Sequence, residues 1–348
     1  MNIGEVKKRV TLAYYKSSGL PMNLRVALLV LADKHNLPSD AGRQLKQLAA
    51  LDAPPSSLLR RLPFGLAVLA AVLVGLGVLF WVAANWDALP RYARFILLQA
   101  IILATLVGAW RFPHARVHLS LLGFLACGGL FAYFGQTYQT GADPWQLFAL
   151  WAALTLPLCL GVRHDVLWVP WMIVALTATQ LFSQVRTDRW WWAAEISLQS
   201  SLGSWVPALV LAFLFKFAPR AWVGAGTNAG RWPMRLSMIY AIIGLSTMSV
   251  RSLFSTTYDG LYPISLLIVL ALGFAFSRRG LFDIFVLSAL GLGANVLAVC
   301  GVAQLLLGVR GNEIFALLLI GCVSAAMLAG TVKLIVYLAR AQTGEHIL

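Results

Sequence analysis

Phe64-Gly65-Leu66-Ala67-Val68-Leu69-Ala70-Ala71-Val72-Leu73-Val74-Gly75-Leu76-Gly77-Val78-Leu79-Phe80-Trp81-Val82-Ala83-Ala84 is a run of 21 residues without one charge. At 1.5 Å of rise per residue, a helix of that length covers about 30 Å, the thickness of a bilayer's hydrocarbon core. Such runs recur, and Ile284 to Val309 holds 26 uncharged residues. The 348-residue chain is 60% hydrophobic and 11% charged, against roughly 25% charged in a soluble domain. A soluble fold does not repeat this pattern. The membrane is the solvent.

Working outward from that run, ten spans are predicted, at about 64–84, 93–110, 117–134, 145–162, 166–183, 198–215, 232–250, 260–277, 284–309 and 314–332. The ninth is long enough either to tilt or to hold a break near Gly291, Gly293 and Asn295. Charges close to span ends, Arg94 and Arg235 among them, are expected to snorkel to the interface. The fold class is therefore all-α, a polytopic helix bundle. The chain divides into a basic helical segment over 1–62, a transmembrane domain over 63–340 and a tail over 341–348.

An even number of spans puts both termini on one side. On that side lie 21 of the Lys and Arg residues, and six (Arg91, Arg94, Arg186, Arg189, Arg251, Arg310) lie on the other. Untranslocated loops are the basic ones, so both termini are expected on the cytoplasmic side of the membrane. Acids divide seven to six between the two faces, so the net charge of +14 sits on the cytoplasmic side alone. A basic balance produced by topology gives no reason to expect nucleic acid; the lipid bilayer is the expected partner.

Trp86, Trp110, Trp145, Trp168, Trp190, Trp191, Trp192, Trp222 and Trp232 stand at or near span ends, where an amphipathic ring prefers to lie. Residues 1–62 lack a secretory h-region, so the first span is expected to act as the insertion signal. Within them Leu24, Ala27, Leu28 and Leu31 share one helix face, and Ser39-Asp40 after Pro38 can cap a second helix carrying Leu45, Leu48 and Leu51. A third helix is expected from Val6 to Tyr15. Packing on the anionic membrane surface is favoured over docking of a cytoplasmic partner. The four cysteines fall in apolar runs without CxxC spacing, which suits packing better than metal or redox chemistry.

One gap between spans differs from the basic connectors. Gly135-Gln136-Thr137-Tyr138-Gln139-Thr140-Gly141-Ala142-Asp143 has no Lys or Arg and leads into Pro144-Trp145-Gln146. Asp143 is a candidate N-cap, Pro144 suits the first helical position, and Gln146 can complete a capping box. The cap explains Asp143. Gln136, Tyr138 and Gln139 exceed what a turn requires. On the same outer face, Asn85, Trp86 and Asp87 close the first span, Pro90 can start the second, and Arg91 can pair with Asp87 or Asp143. Together these residues form a candidate ligand-binding cluster. Inside the bundle, Asn295 beside Gly291 and Gly293 is the best polar candidate, although hydrogen bonding within tight helix packing accounts for it more simply.

The two outer motifs, Ala83-Ala84-Asn85-Trp86-Asp87 and Gly135 to Trp145 with Leu147 and Trp151 following, resemble bacterial membrane proteins grouped as domain of unknown function 2157. The resemblance covers about residues 60–160. It implies no activity, cofactor or catalytic residue, and it allows a small envelope protein as partner.

No HExxH, GxSxG, Walker A or strand-borne GxGxxG motif is present, and the histidines are scattered. His114 and His118 have i,i+4 spacing but lack further ligands for a metal. Neither catalytic residues nor a cofactor are expected. No ionisable side chain lies near a predicted midplane, where coupled carriers usually keep one. Two functional readings remain. One is a carrier or channel-like protein for a small solute or lipid headgroup with a polar outer site. The other is a non-enzymatic scaffold whose outer face binds an envelope protein.

Overall fold

A computed structural model of the chain describes residues 35, 38, 40, 41, 44, 56–84, 90–138, 143–185, 198–224, 229–254, 260–307 and 313–343. The helices expected at Val6–Tyr15 and Leu24–Leu31, the leucines at 45, 48 and 51, and Trp190 to Trp192 lie outside them. All regular structure among the described residues is helical. The helices are α1 (Ser56–Ala84), α2 (Arg91–Arg111), α3 (Arg116–Tyr138), α4 (Pro144–Val162), α5 (Asp165–Val185), α6 (Leu198–Phe217), α7 (Arg220–Val223), α8 (Arg231–Leu253), α9 (Leu261–Ser277), α10 (Ile284–Leu307) and α11 (Glu313–Thr343). The chain divides into two compact units, one of residues 1–66 with 343–348 and one of residues 67–342. The second unit holds most of α1, all of α2 to α10 and all but the last residue of α11.

Every predicted span falls on an apolar helix. Among the described residues, seven helices are long and apolar enough to cross a membrane: α2, α3, α4, α5, α8, α10 and α11. The other three, over Leu62–Val78, Trp205–Phe217 and Leu261–Ser277, are shorter apolar stretches. Prolines stand inside α4, α5 and α6 (Pro157, Pro170, Pro207), which packed neighbours in a bundle can accommodate.

Sequential helices pack on one another from α2 to α6, and α8 then touches α5, α6, α9 and α10. The reason for its central place is legible along α8. Met234, Ser237, Met238, Ala241, Ile242, Leu245, Ser249 and Ser252 are buried, a stripe at three- and four-residue spacing in which small side chains alternate with large apolar ones. It meets Ala208 and Ala212 of α6, both without exposed surface, and the Ser237 hydroxyl donates to the Ala208 carbonyl at 2.7 Å. Lipid gives no hydrophobic drive to helix pairing, so close approach of small residues and interhelical hydrogen bonds must hold the pair.

α10 runs unbroken from Ile284 to Leu307. A break near Gly291 and Gly293 is absent because both glycines serve packing. A Cβ at Gly293 would come within 2.8 Å of Ile242 on α8, and one at Gly291 within 2.7 Å of Thr331 on α11.

Three expectations about side-chain placement are corrected. Trp168 does not face the interface; it is buried, edge-on to Phe215 and Trp171 at 5.0 and 5.5 Å. Arg94 does not snorkel either, but is buried with its guanidinium 5.9 Å from the centre of the Tyr133 ring. Arg235 turns inward to the Asp283 carboxylate. Trp110, Trp222 and Trp232 are exposed, as an interfacial ring would be.

Candidate functional site

Polar groups gather at the two opposite ends of the helices. At the first end, the starts of α2 and α4 meet the ends of α3 and α5. The Tyr133 hydroxyl, near the end of α3, donates to the Arg91 carbonyl at 3.2 Å, and its ring lies 4.5 Å from that of Phe95. Trp145, at the start of α4, packs edge-on against Phe182 of α5 at 4.9 Å.

Gly135, Gln136, Thr137 and Tyr138 are not part of a turn but form the last turn of α3. Gly135 is there for packing, since a Cβ would come within 2.8 Å of Leu147 on α4. The start of α4 also differs from expectation. Asp143 holds the N-cap position with Pro144 at N1, yet its side chain makes no capping hydrogen bond. Its carboxylate accepts instead from the Trp145 indole at 3.3 Å, so no capping box forms. Pro90 likewise sits at the N-cap of α2, one place before the first helical residue.

Of the nine candidate residues, Arg91, Gln136 and Asp143 are brought to this one end. Arg91 and Gln136 are exposed and Asp143 is half-buried. Among the described residues no ion pair joins Arg91 to Asp143. Tyr138 closes α3, and its side chain lies outside the described residues, as do Asn85, Trp86, Asp87 and Gln139.

Asn295 lies elsewhere, within the bundle. Its Oδ1 accepts from the Thr331 hydroxyl of α11 at 3.1 Å, while its Nδ2 is buried without a partner among the described residues. Several other polar groups along the helices are engaged with a neighbouring helix. Tyr240 donates to Gln180 Oε1 at 2.9 Å, Tyr262 to the Leu297 carbonyl at 2.7 Å, and Gln304 Nε2 to the Leu253 carbonyl at 2.6 Å.

The second end carries structure that the sequence reading did not anticipate. Asp283 immediately precedes α10, and its Oδ1 accepts from the amides of Phe285 and Val286 at 3.0 and 3.3 Å. Arg235 of α8 clasps the same carboxylate, with Nε 3.2 and 3.1 Å from its two oxygens and a terminal nitrogen at 3.0 Å from Oδ2. The guanidinium also lies over the rings of Trp232 and Phe285 at 5.4 and 5.2 Å. Two backbone amides and a forked cation satisfy this buried acid. Bidentate geometry and additional hydrogen bonds are what a desolvated pair needs to be favourable.

A second acid does the equivalent for α8. Asp165, the first residue of α5, accepts from the amides of Gly230 and Trp232 at 2.7 and 3.5 Å, tying the two helix starts together. Beside it, His164 Nδ1 accepts from the Val166 amide at 3.2 Å. Burial holds the His164 pKa below its ordinary value of 6.5; Asp165 raises it in part and His118 lowers it further. The Val166 bond fits the neutral ring, because only an unprotonated Nδ1 can accept.

Between the end of α6, α7 and the starts of α8 and α10 lies a cavity of about 210 Å³. Lys216, Arg220 and Arg231 supply its cations, and Phe215, Val223 and Met234 its apolar wall. Lys216 Nζ donates to the Leu281 carbonyl at 3.3 Å. Among the described residues no group of three His, Cys, Asp or Glu side chains comes together as a metal site would require.

Asp165 and Asp283 escaped the sequence reading although each sits at the threshold of an apolar run. The same helix-start logic applied to Asp143 finds both. It says nothing, however, of which cation each acid meets.

Residues 30–168 match the family model described as "Predicted membrane protein (DUF2157)". Over this stretch the chain is similar to that family. The family region runs through α1 to α4 into the first turn of α5, and so contains the amide-rich end but not the cavity lined by residues 215–283. No curated protein and no solved structure matches the chain. With its succession of apolar helices, this chain is a multi-pass helical membrane protein.

Proposed function

We propose that this protein is a non-enzymatic scaffold of the bacterial inner membrane, with ten spans and both termini in the cytoplasm, whose amide-rich outer end binds an envelope protein. The observation that carries the reading is how the interior polar groups are used. Gln180 and Tyr240, Ser237 and the Ala208 carbonyl, and Tyr262 and the Leu297 carbonyl are engaged with one another across helices. Around them Leu167, Met172, Met238, Leu290 and Leu297 fill the space between α5, α8 and α10. Polar groups consumed in this way hold helices together. At the outer end Gln136 and Arg91 present their side chains outward instead.

A photo-crosslinker at Gln136 in the intact cell tests the scaffold. It is expected to capture an envelope protein, and adducts to lipid alone would sink the reading. Orientation is tested separately by labelling from outside, where a Gln139→Cys variant should react and an Arg279→Cys variant should not. The reverse pattern defeats the topology.

The carrier reading, for a small solute or lipid headgroup, draws on Asn295. Its buried Nδ2 has no acceptor among the described residues, as a site awaiting a ligand would have. Uptake by proteoliposomes that Asn295→Leu abolishes, with the fold retained, would favour the carrier over the scaffold.

A further inference from the structure

The cavity beyond the family region has a composition of its own. Three cations on separate elements converge on it: Lys216 in the last turn of α6, Arg220 at the start of α7 and Arg231 at the start of α8. Asp283 also lines it, but that carboxylate is saturated by Arg235 and by the amides of Phe285 and Val286. Asp165, across Gly230, is likewise taken up by backbone amides. Among the described residues no ion pair involves Lys216, Arg220 or Arg231. The local field is therefore positive, and the opposing charges are spent on structure.

The cavity's surroundings fix its depth. Phe217, Trp222 and Trp232 flank the cations and are 69%, 52% and 55% exposed. Large exposed rings next to cations at the ends of apolar helices mark the headgroup layer. Phe215, Val223 and Met234, all buried, also line the cavity and give it an apolar part. A volume of about 210 Å³ falls below the roughly 300–1,000 Å³ of sites for drug-sized ligands. It suits a compact group carrying negative charge at one end and carbon at the other.

We propose that this cavity binds the phosphate group of an anionic glycerophospholipid, Lys216, Arg220 and Arg231 holding the phosphate oxygens while Phe215, Val223 and Met234 accept the glycerol and the first acyl carbons. Free phosphate shares the anionic chemistry but makes no use of an apolar wall. The site is independent of whether the outer end binds a partner, and it lies at the opposite ends of the helices.

The test uses the full-length chain in detergent, titrated with phosphatidylglycerol, phosphatidylcholine or inorganic phosphate, with bound lipid read by native mass spectrometry. Phosphatidylglycerol is expected to be retained in preference to phosphatidylcholine. Combined Lys216→Gln, Arg220→Gln and Arg231→Gln should remove the preference, at about fivefold in affinity per charge. A matched variant losing Arg111, Arg116 and Arg279, exposed cations away from the cavity lining, should keep it. Should the triple variant fail to fold, the exposed Arg220→Gln change alone is expected to weaken binding by about fivefold. Equal loss in the matched variant, or no preference for phosphatidylglycerol, overturns the site. Displacement of the lipid by inorganic phosphate at comparable concentration overturns the lipid assignment.

Discussion

The two ends of the helices use polar residues in opposite ways. At the amide-rich end Arg91 and Gln136 stand exposed, and Asp143 spends its carboxylate on the neighbouring Trp145 indole instead of on its own helix. At the basic end Asp165 and Asp283 each hold two backbone amides, and Asp283 also holds a guanidinium from another helix. The first end has side chains to spare. The second has turned its acids into joints and left its cations facing a cavity. A polar residue at a membrane boundary is thus informative only once its partner is known: satisfied groups hold the fold, and groups left over are available to bind.

The contrast breaks most sharply at Asp283. Replacing it with Ala leaves the half-buried Arg235 without its counter-charge and two amides of α10 without an acceptor. The expected loss is about 3–5 kcal/mol, seen as a fall in thermal stability in detergent. A double Arg235→Leu, Asp283→Leu variant should lose much less, and equal losses would deny that the pair acts as a joint. Gly293→Val comes next, at about 1–3 kcal/mol from overpacking against Ile242. An unchanged melting temperature there would mean that α8 and α10 are not in close contact.

Tyr240→Phe removes one interhelical hydrogen bond to Gln180. Its cost should be near 0.6 kcal/mol, about the average for such bonds in a membrane. His164 gives the pH arm. Its folded pKa lies below 6.5, so the unfolded chain binds the proton more readily. The stability it contributes is whole above that value and is lost as the pH falls below it toward the folded pKa, as the Val166 bond is given up. Thermal unfolding between pH 8 and pH 5 should show this, and His164→Asn, which keeps an acceptor without titrating, should flatten the slope. Smallest of all, Gln136→Ala with Gln139→Ala should change stability by no more than about 0.5 kcal/mol while reducing partner capture. A loss of folded protein in membranes would instead mark the amide-rich end as structural.

Much of the fold is legible without coordinates. Long uncharged runs locate the helices, although α1 begins eight residues before its expected span and α11 ends eleven residues after it. Side-chain direction is harder to read. Composition and position point Arg94, Trp168 and Arg235 to the interface, and all three turn inward. Hydropathy measures what a stretch prefers as a solvent and is blind to azimuth within a turn. Gly135 to Tyr138 read as loop because glycine and amides are turn residues, yet Gly135 packs on Leu147 and the helix continues. Of the candidate residues, Arg91, Gln136 and Asp143 lie at one end of the helices. The sequence passes over the basic cavity, whose cations come from three elements and read along the chain only as topology.

The sequence alone determined that the chain lives in a membrane and where its apolar helices run, because apolar length is a property of consecutive residues. It also carried the DUF2157 motifs, both within residues 30–168. Only the tertiary structure decided which charges cancel. Arg235 and Asp283 are 48 positions apart, and Lys216, Arg220 and Arg231 converge because α8 is anchored between its neighbours by small side chains. Coulomb energy depends on distance and burial, and neither is set until the helices pack.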